Sequence, residues 1–181
     1  RFWLAEHHGG EMVASSAPEL MIAAIAAVTE RIRVGSGGIM LPNHSPLHVA
    51  EQFKVLQALY PGRIDLGIGR AAGTDPRTAL ALRRGREVGG DDLPELLAEL
   101  LAFSGLREWP ESHPFAPVRA APDDAPLPPI FLLGSSDYSA RVAAAAGHCV
   151  IDAAGAAGIS GPRDGERERG IARVTFVFDC I

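Results

Sequence analysis

Apolar residues along this chain fall into two patterns that alternate: short unbroken runs, and longer stretches of helical spacing. Residues 2–6 (FWLAE) are a compact aromatic and aliphatic run ending in polar residues and glycine, which is how a buried parallel strand reads. Ser16-Ala17-Pro18-Glu19 has the form of a capping box with Ser16 as N-cap and predicts a helix to about Glu30. Arg33 to Ile39 (RVGSGGI) predicts a second strand that dissolves into glycine. From Pro46 to Leu59, apolar residues at 49, 50, 53, 56 and 59 keep a helical period, and Tyr60-Pro61-Gly62-Arg63 stops it. RIDLGIG (63–69) then predicts a third strand, and Thr74-Asp75-Pro76 opens another helix.

The pattern loosens between 88 and 128. A helix is expected at Leu93–Phe103, followed by a Pro-rich connection that contains Trp and His, so this segment reads as an excursion from the main repeat. PIFLLG (129–134) resumes as a fourth strand, and Ser135-Ser136-Asp137 leads into a helix to about Ala146. HCVID (148–152) is a candidate fifth strand. Residues 153–170 are rich in Gly, Ala and charge without periodicity and read as loop or disorder, while ARVTFVFD (172–179) alternates as a strand does. The expected division is therefore a barrel-type domain over 1–152 and a divergent tail over 153–181.

Strands alternating with helices predict a parallel α/β sheet, either doubly wound or closed into a barrel. Polar and glycine residues collect at four strand ends: Glu6-His7-His8, Gly35–Gly38, Gly67–Arg70 and Gly134–Ser136. Either architecture keeps its site on that face.

Each cluster has a chemical reading and a plainer one. Successive strand residues point to opposite faces, so Glu6 and His8 share one side and His7 takes the other; the plainer reading is loop hydrogen bonding. A zinc site using His7, His8 and Glu11 is disfavoured because Gly9-Gly10 would break a helix carrying those ligands. Gly37-Gly38 would let a flat ligand lie against bare backbone, or simply make a turn. Gly67-Ile68-Gly69-Arg70-Ala71-Ala72 matches the outline of a dinucleotide fingerprint, but the acid expected about 20 residues on is represented only by Glu87 in a charged stretch. Arg70 is a cation at the mouth of the site for an anionic ligand, or a surface ion pair. Gly134-Ser135-Ser136 before a helix would cradle a phosphate, or merely cap the helix.

Composition narrows the classes. The chain has 181 residues, 47% of them hydrophobic, enough for one domain with a sizeable core. A net charge of −5 with dispersed arginines excludes nucleic acid as the main partner. Cys149 and Cys180 have neither metal-ligand nor redox spacing, so free thiols and a cytoplasmic location are expected. The longest apolar run, Leu20–Val28, is far short of the roughly 20 residues of a membrane span.

Taken in order, FWLAEHH, VGSGGIMLPNHSPL, AEQF followed by PGRIDLGIGRA, and LLGSS resemble the bacterial luciferase-like flavin monooxygenases over roughly residues 1–84 and 128–147. The resemblance implies a (β/α)8 TIM barrel, here expected to be incomplete, without its first strand–helix unit and last strands. It implies reduced FMN at the strand ends, or a deazaflavin, as in relatives of the family. It implies His7 as catalytic acid/base and Glu6 near the flavin. Gly37 and Gly38 would run against the flavin ring, often through a cis peptide, Arg70 would contact the flavin, and Ser135, Ser136 and Ser139 would hold the phosphate. The implied activity is oxidation of a small organic substrate by molecular oxygen, with reduced flavin supplied by a separate reductase. A homo-oligomer and a flavin-binding homologue or truncated fragment without turnover are the remaining expectations.

Overall fold

The computed structural model describes residues 1–10, 15–71, 73–84, 92–134 and 149–152. Strands and helices alternate as β1 (Phe2–Leu4), α1 (Pro18–Ala27), β2 (Val34–Ser36), β3 (Ile39–Met40), α2 (Pro46–Leu59), β4 (Ile64–Gly69), α3 (Pro76–Arg83), α4 (Leu93–Phe103), β5 (Ile130–Gly134) and β6 (Cys149–Asp152). All pairings are parallel, in the order β1-β2-β4-β5-β6, with β3 alongside β4. This is part of a TIM-type barrel wall. The expected helix after Ser135 and the tail from 153 lie outside the described residues.

The expected strand 33–39 is split in two. Val34 stands opposite Ile64 but Ile39 opposite Ile68, so one extra residue is accommodated between β2 and β3. The Gly37–Gly38 peptide in that interval is cis, as the resemblance implies. Ser36, fully buried, closes the gap in the ladder: its Oγ donates to Gly67 O at 2.8 Å and accepts from Gly67 N at 2.9 Å. Gly38 is required here by close backbone approach, since an added Cβ would lie 2.8 Å from Gly67 O.

Alternation along β4 explains why all six of its residues are buried. Ile64, Leu66 and Ile68 join Val34, Ile130 and Leu132 in a core covered by Ile22 of α1, Val49 and Phe53 of α2, and Leu97 and Leu100 of α4. The opposite face of the sheet holds Asp65, Trp3 and Phe131, the two rings 5.0 Å apart.

Two helix ends depart from expectation. Pro18 occupies the first position of α1, where its fixed φ is favourable, so Ala17 becomes the N-cap and Ser16 falls one residue outside. No side chain caps α1, and the capping box is not formed. The helix ends at Ala27 rather than near Glu30; Arg63, from the turn that stops α2, donates to Ala26 O at 3.0 Å and to Thr29 O. Asp75 does cap α3, accepting from the amides of Arg77 at 2.9 Å and Thr78 at 3.3 Å.

After α4 the Pro-rich connection folds back on itself. Trp109 stacks on His113 with centroids 4.2 Å apart and packs edge-on against Phe103. Buried Lys54 of α2 donates to Ala120 O at 2.6 Å, tying the connection to the helical layer. Among the described residues no helix is long and apolar enough to cross a membrane.

Candidate active site

Glu6, just past β1, has no exposed surface, and its carboxylate takes hydrogen bonds from three directions. His8 Nε2 donates to Oε1 at 2.8 Å from the same strand end. Met40 N donates to Oε2 at 2.8 Å from β3. From the 3₁₀ turn Leu41–Asn43 and the residue after it, Asn43 Nδ2 donates to Oε1 at 3.3 Å and His44 Nε2 lies 2.9 Å from both oxygens. A carboxylate only accepts, so both imidazoles carry hydrogen on Nε2. Asn43 in turn accepts from Arg83 Nε of α3 at 3.2 Å. Just past the end of β1, Glu6 and His8 meet as the expected alternation at EHH requires, and His7 is exposed.

Electrostatics follow from this packing. Burial alone would raise the Glu6 carboxyl, but the hydrogen bond and charge of His44, with the bonds from His8 and the Met40 amide, hold it below its ordinary value. Burial alone would lower His44, but the hydrogen bond and charge of Glu6, with a contribution from Glu19, push it up. The pair is therefore an ion pair over the acid side of neutrality.

The loops around Glu6 are stitched together by backbone. His7 N donates to Ser15 O at 3.0 Å and His8 N to Gly73 O at 3.2 Å, while Thr74 Oγ1 donates to His8 O at 2.6 Å. Gly73 has φ +64°, and a Cβ there would lie 2.7 Å from Glu6 O, so the loop after β4 passes where only glycine fits. Ser15 Oγ is buried with no hydrogen-bond partner among the described residues.

The expected site residues Glu6, His7, Gly37, Gly38 and Arg70 thus lie at adjacent C-terminal strand ends, since Met40, bonded to Glu6, pairs with Gly69, the residue before Arg70. Arg70 is exposed. Ser135, Ser136 and Ser139 lie outside the described residues. His44, Asn43 and Arg83 were not anticipated; the available signal was the run of three polar residues Asn43-His44-Ser45 between Pro42 and Pro46, directly after a strand. Among the described residues no group of three or more His, Cys, Asp or Glu is placed to hold a metal ion. His8 and His44 aim at the Glu6 oxygens instead.

Parallel strands whose polar ends converge beside a buried carboxylate–histidine cluster form the face on which barrel folds carry their sites. Residues 1–160 match the model of the luciferase-like monooxygenases, and the chain belongs to that family. It is 50% identical over 147 residues to a luciferase-like monooxygenase of Escherichia coli K12, covering 81% of this chain and 42% of that protein. The crystal structure of apo-MsnO8 matches with a TM-score of 0.73 at 46% identity, over 84% of this chain and 44% of that one. The oxygenating constituent of 3,6-diketocamphane monooxygenase from Pseudomonas putida, in complex with FMN, shares the fold: its TM-score is 0.61 at 22% identity, covering 82% of this chain and 46% of that one. The chain thus spans less than half the length of these relatives.

Proposed function

We propose that the barrel to which this chain contributes is a flavin-dependent monooxygenase, with reduced FMN against the strand ends and His7 as its acid/base. The observation that carries this is His7 itself, an exposed imidazole one residue from a fully buried, fully bonded carboxylate. An acid/base must reach the reacting atom while its backbone stays fixed, and this arrangement provides both.

The residues present fit a flavin. Gly37–Gly38 offers a peptide surface without side chains, suited to a flat ring, and Arg70 offers a cation to an anionic group. Ser135, Ser136 and Ser139 would hold the phosphate, with Glu6 fixing the backbone around the ring. When bound, the reduced flavin supplies the electrons that side chains lack and activates oxygen. His7 would give or take one proton at Nε2 or Nδ1. The small organic substrate and oxygen complete the reaction, a separate reductase would supply reduced flavin, and the assembly would be a homo-oligomer.

The test is anaerobic titration of the protein with reduced FMN and, in parallel, reduced deazaflavin, followed by oxygen in the presence of thioether, ketone and terpene substrates. Tight FMN binding with oxygenated product, and a drop of about 10²–10⁴-fold in product formation for His7→Ala at unchanged flavin affinity, is expected. Product formation unaffected by His7→Ala would remove the catalytic assignment. Binding without product from any substrate would favour a flavin-binding homologue.

A further inference from the structure

We propose that His44 is a positioning residue: it is the clamp through which the turn after β3 holds Glu6 and, with Glu6, the strand end carrying His7. This rests on the reading of His7 given above, but its physical content concerns this chain alone. Glu6 reaches three segments, and among the described residues His44 is the partner that spans both of its carboxylate oxygens, at 2.9 Å each. The other bonds come from a neutral amide, a backbone N–H and the adjacent His8. All of these bonds share the charged carboxylate as acceptor, and the imidazolium of His44 adds a full positive charge facing both oxygens, so it supplies the largest part of the restraint. Behind it, Asn43 is held by Arg83, which is itself buried, so the clamp is anchored in α3.

The strand end has little else to fix it. Apart from Glu6, His7 N is tied to Ser15 O, His8 N to Gly73 O and His8 O to Thr74 Oγ1, and all three partners sit in loops. Loosening Glu6 should therefore release the strand end before any core element. The charged and titratable groups around His44 are Glu6 and His8 at the strand end, Glu19 on α1 and, through Asn43, Arg83 on α3; exposed His48 lies on the first turn of α2. A neutral imidazole keeps an Nε2 hydrogen bond but loses the charge, so the clamp should weaken as His44 loses its proton.

The experiment is hydrogen exchange at the His7 and His8 amides, without flavin, expressed as protection factors between about pH 5 and 9. In the wild type, protection should fall about tenfold as pH rises, while amides of α4 show no such step. His44→Gln, which retains a donor, should show intermediate protection with no step, and His44→Ala should show low protection throughout. His48→Gln should keep the step. A flat wild-type profile, a step that survives in His44→Gln, or a step lost in His48→Gln would each overturn the proposal. If His44→Ala does not fold, the wild-type and His44→Gln profiles decide. Because flavin is absent, failure of the clamp leaves the flavin reading untouched, and failure of flavin binding with the clamp intact removes only that reading.

Discussion

Among the described residues two carboxylates have no exposed surface, and they sit at opposite ends of the strands. Asp65, near the start of β4, accepts from Arg1 Nε and Trp3 Nε1 at 3.1 Å each, and from Arg33 Nε at 2.9 Å together with its terminal nitrogen. Glu6, past the end of β1, accepts instead from two histidines, an asparagine and a backbone amide. A guanidinium keeps its charge at any pH the fold survives and has no acceptor, whereas imidazole changes both its charge and its hydrogen-bonding role near neutrality. The pole away from the site is locked by partners that cannot switch. The pole at the site is held by partners that can.

Substitution should show this difference most strongly at Asp65. In Asp65→Asn an amide NH2 must face a set of partners that only donate, and Arg33 loses its counter-charge. Breaking a buried ion pair by removing one partner costs about 3–5 kcal/mol, and the half-exposed Arg1 places the expectation near the lower end. Urea denaturation should read this as a lowered midpoint at constant m-value. An unchanged midpoint would mean that the arginines are adequately solvated and the lock is not structural. Glu6→Gln should cost less, about 1–3 kcal/mol, because His44 can lose its proton and accept where Arg33 cannot.

A pH series sharpens the same contrast. His44 is raised from 6.5 by burial-opposed contact with Glu6, so its contribution is fully present below 6.5 and is lost as pH rises through its folded value. Glu6 is lowered from 4.5, so its contribution is present above 4.5 and is lost as pH falls through its folded value. The pair therefore stabilises most between those two ordinary values. Chemical denaturation should show a plateau across that range and a decline on its alkaline side, as pH rises above 6.5 through the folded value of His44, and Glu6→Gln should abolish that decline. A decline that persists in Glu6→Gln would place the titrating group elsewhere.

Much of this architecture was legible from periodicity. The bounds of α2 and α4 agree with the apolar spacing, and Asp75 caps α3 where Thr74-Asp75-Pro76 predicted a start. What local pattern could not carry was competition and long range. Pro18 outweighed Ser16 at the start of α1, because a fixed φ at the first helical position decides the cap before any side chain can bond. The interruption of the second strand depends on Ser36 meeting Gly67, 31 residues away. The partners of Glu6 were hidden for the same reason: His44 is 38 residues distant, and nothing in its neighbourhood marks it as facing a carboxylate. Residues that line strand ends could be inferred from the repeat, but which of them touch is a property of register.

Lys54 supplies a further buried charge and the smallest expected effect. Its ammonium meets neither a switching nor a permanent counter-charge: among the described residues its hydrogen bond goes to Ala120 O, and no carboxylate lies within ion-pair distance. An ammonium in such a place gives up hydration for a single carbonyl, so replacing it with an unbranched apolar side chain trades one lost hydrogen bond against a relieved desolvation penalty. The two are of similar size, and Lys54→Met is expected to change stability by less than about 1 kcal/mol in either direction. The movement should appear instead at the Pro-rich connection, where exchange at the Ala120 amide, bonded to Phe103 O, ought to quicken while β4 amides stay protected. A large loss of global stability would show that Lys54 is paired with a group beyond Ala120 and belongs with Asp65 among the fixed locks of the fold.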